Sequence, residues 1–181
     1  MNDSYRNESD GNLVEYINRG EAEAFEVLYF RYRDWIYNLA RRFTGNDDQA
    51  LDVLQETFIY LMKKFPGFKL TSQMTTFLYP AVKNISIAVC RNRKRFVSSE
   101  ELRDDIPAEE ELCNERSKLE EVLSGLDEQN REILLMRFVD QMKLEEIAIV
   151  MGISPGMVKS RFYRALAFLR EDERTRKYFL E

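Results

Sequence analysis

The sequence predicts an all-α chain: two small helical domains joined by an acidic linker, the second carrying a helix-turn-helix. Three observations lead there. Apolar residues recur at three-four spacing through most of the 181 residues, as in helices with one buried face. No segment alternates convincingly with period two, and 7 Gly with 4 Pro are few for a loop-rich or all-β protein. Between two helical blocks, residues 97–115 (VSSEELRDDIPAEEELCNE) are acidic, contain a Pro and lack an apolar stripe, which reads as an exposed linker.

These features place a disordered polar tail at 1–11, a first domain at 12–96, the linker at 97–115, a second domain at 116–172 and a charged tail at 173–181. In the first domain, Phe25, Leu28, Tyr29, Tyr32, Ile36, Leu39, Ala40 and Phe43 form one stripe, ended by Gly45. Asn46 is the expected N-cap of the next helix, with Asp47 and Asp48 in its positive first turn and Gln49 at the capping-box position. Val53, Leu54, Phe58, Leu61 and Phe65 continue the rhythm until Pro66-Gly67 breaks it. A loop at 66–74 leads to a third long helix through Phe77, Leu78, Ala81, Val82, Ile85 and Val89, ending in Arg91, Arg93, Lys94 and Arg95. Pro80 is expected to lie near the start of this helix or to kink it.

The second domain opens with a short helix at 119–126. Asp127 caps another, with Ile133, Leu134 and Phe138 on its apolar side. Leu144, Ile147, Ala148 and Met151 make a third. Gly152-Ile153 is a tight turn, and Ser154-Pro155 is an N-cap followed by Pro at the first helical position. Val158, Phe162, Ala165, Leu166 and Leu169 give the last helix its buried face.

Composition removes several functions. With no His, and with Cys90 and Cys113 far apart, the usual Ser-His-Asp and Cys-His arrangements are excluded and a structural zinc site is not expected. No metal, cofactor or enzymatic activity is expected. No apolar run approaches the roughly 20 residues that span a bilayer, and the polar start lacks a secretory signal, so the chain is expected in the cytoplasm. The net charge of −5 is uneven: residues 1–96 carry 14 basic and 12 acidic side chains, 97–121 carry 3 and 10, and 122–181 carry 10 and 10. The acidity belongs to the middle, leaving the flanking blocks able to present basic patches to nucleic acid.

Three surfaces carry chemistry. In KLEEIAIVMGISPGMVKSRFYR (143–164), Ala148 is small where two helices touch, Gly152 turns the chain, and Ile153 and Val158 close the second helix onto the first. Its outer face would offer Ser154, Met157, Lys159, Ser160, Arg161, Tyr163 and Arg164 to a major groove. On the second helix, Asp48, Asp52, Gln55 and Glu56 share the face opposite the apolar stripe. This is either a solvated surface or an acidic docking surface for a basic helix. Lys83, Asn84, Arg91, Arg93, Lys94 and Arg95 on the third helix, with Phe68 and Lys69 in the preceding loop, combine cations with an exposed ring, as single-stranded DNA binding requires. Phe65 and Phe77 are expected in the core.

In this order, the segments resemble the extracytoplasmic-function (ECF) group of sigma factors in the sigma-70 family. AFEVLYFRYRDWIYNLARRFTGNDDQALDVLQETFIYLMKKF is similar to the group's first conserved region and its polymerase-binding helix, with DVLQETF (52–58) the most telling piece. Residues 75–95 resemble its promoter-melting helix, and 126–170 its second domain. The resemblance implies that Asp52, Gln55 and Glu56 face the clamp helices of core RNA polymerase. It implies that Asn84 and the 67–74 loop capture a flipped base of the −10 element, and that Lys159, Ser160, Arg161, Tyr163 and Arg164 read the −35 element of promoter DNA. It also implies an anti-sigma factor, often membrane-anchored. The chain departs from the family at Phe77, where Trp is usual, at Pro80-Ala81-Val82, where a polar residue precedes Ile-Ala, and at Met157, where Thr is usual.

A helix-turn-helix regulator working outside the polymerase would account for 143–164, but it leaves the acidic face and the Arg-rich third helix without a purpose. A recombinase or nuclease lacks a carboxylate cluster or an activated nucleophile here. An interaction module would not need the basic recognition helix.

Overall fold

A computed structural model describes residues 5–97 and 123–176, and among these every regular element is a helix. The chain divides into two compact units. Residues 98–115 of the expected linker and the first half of the helix at 119–126 fall outside the described residues, while Val97, expected in the linker, ends the last helix of the first unit.

The first unit contains α1 (Asp10–Asn18), α2 (Ala22–Thr44), α3 (Asp47–Met62) and α4 (Met74–Val97). α1 was not legible as a helix, and residues 5–11, expected in a disordered tail, are folded against α2. Ser9 caps α1 by accepting the Asn12 amide. Asp10 bonds Arg31 at 2.5 Å and accepts from the Tyr32 hydroxyl, and Arg31 also donates to the carbonyls of Arg6 and Glu8. Leu13 and Val14 then bury the inner side of α1.

α2 ends where the sequence says it should. Gly45 adopts the left-handed conformation (φ 66°), and its amide bonds the Arg41 carbonyl at 2.8 Å. Asn46 caps α3 by accepting the Gln49 amide at 3.0 Å. The capping box is not completed. The Gln49 side chain is buried and accepts from the Cys90 thiol of α4, while the Asn46 amide donates to Thr44. A tertiary partner thus displaces the local one. Leu28, Ile36, Leu39, Val53, Leu61, Leu78 and Val82 form the core where α2, α3 and α4 meet.

α4 starts at Met74, ahead of Pro80, and continues through it. Pro80 cannot donate to the Thr76 carbonyl, so one rung of the helical ladder is missing there. Pro80, expected near the start of this helix or at a kink in it, therefore lies inside the helix, past its first turn. Its neighbours Leu78, Tyr79 and Val82 are buried, and that packing supports the turn which lost the bond.

The second unit contains α5 (Glu128–Phe138), α6 (Leu144–Met151), α7 (Pro155–Glu171) and α8 (Glu173–Arg176). Asp127 caps α5, and Ile133, Leu134 and Met136 are buried. Phe138, expected on the apolar side, is 62% exposed at the end of the helix, and Met136 and Met142 fill the core instead. α7 buries Val158, Phe162, Ala165 and Leu169 against α5 and α6. Residues 173–176, expected as part of a charged tail, form α8, where the buried Thr175 hydroxyl donates to the Leu169 carbonyl.

Candidate nucleic-acid interface

The helix-turn-helix is built by α6 and α7. Gly152 ends α6 in the left-handed region (φ 66°), with its amide directed to the Ile149 carbonyl. Ser154 then accepts the Met157 amide at 3.2 Å and Pro155 occupies the first turn of α7. The Ser154 hydroxyl therefore serves as a cap. Met157, Lys159, Ser160, Tyr163 and Arg164 are all exposed, Tyr163 at 65%. Lys159 Nζ lies 3.9 Å from the Glu145 carboxylate of α6. Arg161 departs from the expected outer face. It is half-buried, and its Nη1 is enclosed without a hydrogen-bond partner. Its place one turn from Val158 and beside Phe162 puts it at the edge of the buried stripe.

On α3, Asp48, Asp52, Gln55 and Glu56 are exposed along one face. The sequence reading missed that this face is also apolar. Leu51, Ile59 and Met62 are 47%, 41% and 56% exposed; Leu51 and Ile59 each follow an acid by three residues, and Met62 follows Ile59 by three. Met62 further lines an apolar cavity with Ile17, Ala22, Phe25 and Phe65. The three-four pattern picks out one apolar stripe, and these positions lie outside its centre, because α3 is apolar around much of its circumference.

The loop before α4 differs most from expectation. Phe68, predicted as an exposed contact, is half-buried, with its ring 4.7 Å from Phe77 and 5.5 Å from Phe65. Phe77 in turn stacks on Tyr60 at 6.1 Å, so both Phe65 and Phe77 belong to a packed aromatic cluster. Lys69, Thr71 and Gln73 are exposed. The loop backbone is held by Asn18 at the end of α1, whose Oδ1 accepts from the Gly67 and Phe68 amides at 2.6 and 3.1 Å. Asn18 Nδ2 donates to the Phe68 carbonyl at 2.8 Å. Nothing in the sequence pairs residue 18 with a loop some fifty positions away. Along α4, Asn84 and Arg91 are exposed, while Lys83 is half-buried with its ammonium 5.9 Å from the Phe43 ring. The side chains of Arg93 and Arg95 fall outside the described residues.

Comparison with known proteins covers both units. Residues 28–96 match sigma-70 region 2, and residues 116–169 match sigma-70 region 4. The chain is 30% identical over 174 residues to the RNA polymerase sigma-H factor of Pseudomonas aeruginosa, covering 87% of this chain and 90% of that one. The chain belongs to the sigma-70 family. Within it, this sigma factor is an ECF member, 26% identical over 180 residues to the ECF sigma factor SigW of Bacillus subtilis, with 89% and 95% of the two chains covered. Its fold resembles CnrH, solved with the cytosolic domain of CnrY (TM-score 0.64, 23% identity, 88% and 93% covered). It also resembles RpoE of Bartonella quintana, solved with the anti-sigma factor NepR (TM-score 0.57, 22% identity, 81% and 94% covered). A helix-turn-helix regulator working outside the polymerase would leave the region 2 match unexplained. The sigma factor binds core RNA polymerase and directs initiation at promoter DNA.

Proposed function

We propose that this ECF sigma factor divides its work among the three surfaces above. The observation that carries the division is that each is a separate exposed face built on its own element: α3, the 67–74 loop with α4, and α7. The acids Asp48, Asp52 and Glu56, with Gln55 and the apolar Leu51, Ile59 and Met62 between them, fit a basic amphipathic helix pair of the polymerase clamp. Charge orients such a docking and apolar burial holds it. Asn84, Arg91, Lys83 and the outward part of the 67–74 loop, including Lys69, receive the melted −10 strand, with Arg93 and Arg95 continuing the cationic track. Phe68 serves this site as packing beneath the loop instead of as a stacking surface.

α7 enters the major groove at the −35 element. Ser160, Tyr163 and Arg164 face base edges and Lys159 a phosphate, while the capped amino end of α7 carries the positive end of its dipole. Arg161, with its guanidinium half-buried, positions the helix. In this assignment residues 12–96 do the work of region 2, 116–172 that of region 4, and 97–115 join them. The sigma factor is a non-catalytic subunit of the polymerase and acts in the cytoplasm. Among the described residues, no helix is long and apolar enough to cross a membrane. An anti-sigma factor covers these faces when transcription is off, as the partners named for the structurally similar proteins support.

The test is run-off transcription from a genomic promoter library by sigma-free core polymerase supplied with this chain. Promoter-dependent transcripts are expected. Core binding without any promoter-specific transcript would refute the division, as would DNA binding without core binding.

A further inference from the structure

Asn18 is the unexpected member of the loop site. It uses both lone pairs of its side-chain carbonyl on the adjacent amides of Gly67 and Phe68, and one amide proton on the Phe68 carbonyl. This supplies the loop with the bonding a neighbouring strand would give. Gly67 sits at φ 96°, a conformation that L side chains rarely adopt, although no atom lies within 4 Å of where a Cβ would stand. The ring of Phe68 is held separately by Phe65 and Phe77. The start of the loop, Gly67 and Phe68, is thus fixed through backbone and side chain together, while Lys69, Thr71 and Gln73 project to solvent. α1 is itself seated through Asp10 on Arg31 and Tyr32 and through the buried Leu13 and Val14, so Asn18 reaches the loop from a fixed base.

We propose that Asn18 is a positioning residue for −10 recognition, holding Gly67 and Phe68 so that residues 69–73 are presented to an unstacked base in one preformed shape. The proposal rests on the reading of this loop as a single-strand contact. A loop ordered before binding loses less conformational freedom when the base arrives, and it admits one base shape in preference to others. Asn18 touches no DNA in this scheme. Its effect passes through the backbone of Gly67 and Phe68.

The experiment uses holoenzyme assembled from core polymerase and the full chain. Anisotropy measures its affinity for labelled single-stranded −10 oligonucleotides, each substituted at one position by every other base. For Asn18→Ala, affinity for the preferred oligonucleotide should fall about tenfold, and discrimination at one base position should collapse toward unity. Core affinity and binding to a −35 duplex should stay within about twofold of wild type. Asn18→Asp keeps an acceptor for the two amides and should restore a substantial part of the discrimination; a ratio between oligonucleotides cancels the general effect of its added charge.

Wild-type discrimination at every position in Asn18→Ala would overturn the proposal. So would a uniform loss on all oligonucleotides in step with lost core binding, since that is the mark of general unfolding. Discrimination that depends on residues 69–73, tested by replacing them with Gly and Ser, but not on Asn18, removes the Asn18 assignment alone. Discrimination that survives replacement of 69–73 removes the loop reading and the Asn18 role with it.

Discussion

Two glycines four residues apart in the helix-turn-helix should respond to the same substitution with opposite sign. Gly152 sits at φ 66°, ψ 30°, and a Cβ there would meet nothing within 4 Å. The cost of Gly152→Ala is therefore conformational, without a steric part, and amounts to about 1–2 kcal/mol for an L residue in the left-handed region. Gly156 lies in the first turn of α7, also with open space around its Cβ position. Gly156→Ala removes unfolded-state freedom without strain and should stabilise by about 0.4–1 kcal/mol. Urea unfolding followed by far-UV circular dichroism measures both. The two variants should differ by roughly 1.5–3 kcal/mol, which for a unit this small is a midpoint separation on the order of 10 °C on heating. Gly152→Asn should recover part of the loss, since Asn tolerates the left-handed region. Equal stability of wild type and Gly152→Ala would show that the turn does not require positive φ. The account of how α6 hands over to α7 would then fail.

Charge reversal on α3, Asp52→Arg with Glu56→Arg, should weaken core polymerase binding at least tenfold while leaving −35 duplex affinity unchanged; competition against a second sigma factor for limiting core measures this. Arg164→Ala should cost about 1–3 kcal/mol in promoter affinity, concentrated at one base pair of the −35 element; equal loss on all sequences would reassign it to phosphate contact. An alkaline prediction follows from the tyrosines that fasten the amino-terminal segment. Burial and the bond to Asp10 push the Tyr32 hydroxyl well above its ordinary value of 10.0, and the bond to Glu21 pushes Tyr5 up to about 12. Both groups bind their protons more tightly folded than unfolded. Their stabilisation is therefore whole below about pH 10 and is lost as pH rises toward and beyond 12. Tyr32→Phe should flatten that alkaline loss in pH-dependent thermal unfolding, and an unchanged slope would contradict it.

Elements with a one-sided apolar stripe and a local stop signal were legible in the sequence. α2, α3 and α7 follow their three-four patterns, and Gly45, Asn46, Gly152 and Ser154 form the expected turns and caps, because those signals act within a few residues. Errors arose where a distant partner won. Gln49 turned from its capping-box role to the Cys90 thiol, and Phe68 turned from solvent to Phe65 and Phe77. α1 is short, and Leu13 and Val14 are too few to make a periodic signal, yet tertiary bonds to α2 hold it. Pro80 read as a helix start or a kink because local rules count its missing amide and not the packing of Tyr79 and Val82 around it. Arg161 read as outward because composition alone does not separate the centre of a polar face from its margin.

The seat of α1 bears on how the chain can be handled. One end of this nine-residue helix is tied to α2 through Asp10, and the other grips the loop at Gly67 and Phe68 through Asn18. The helix works as a strut, so a disturbance at its head is delivered to a loop far along the sequence. A fusion or deletion that dislodges Asp10 should therefore change how the loop is held before it changes overall folding.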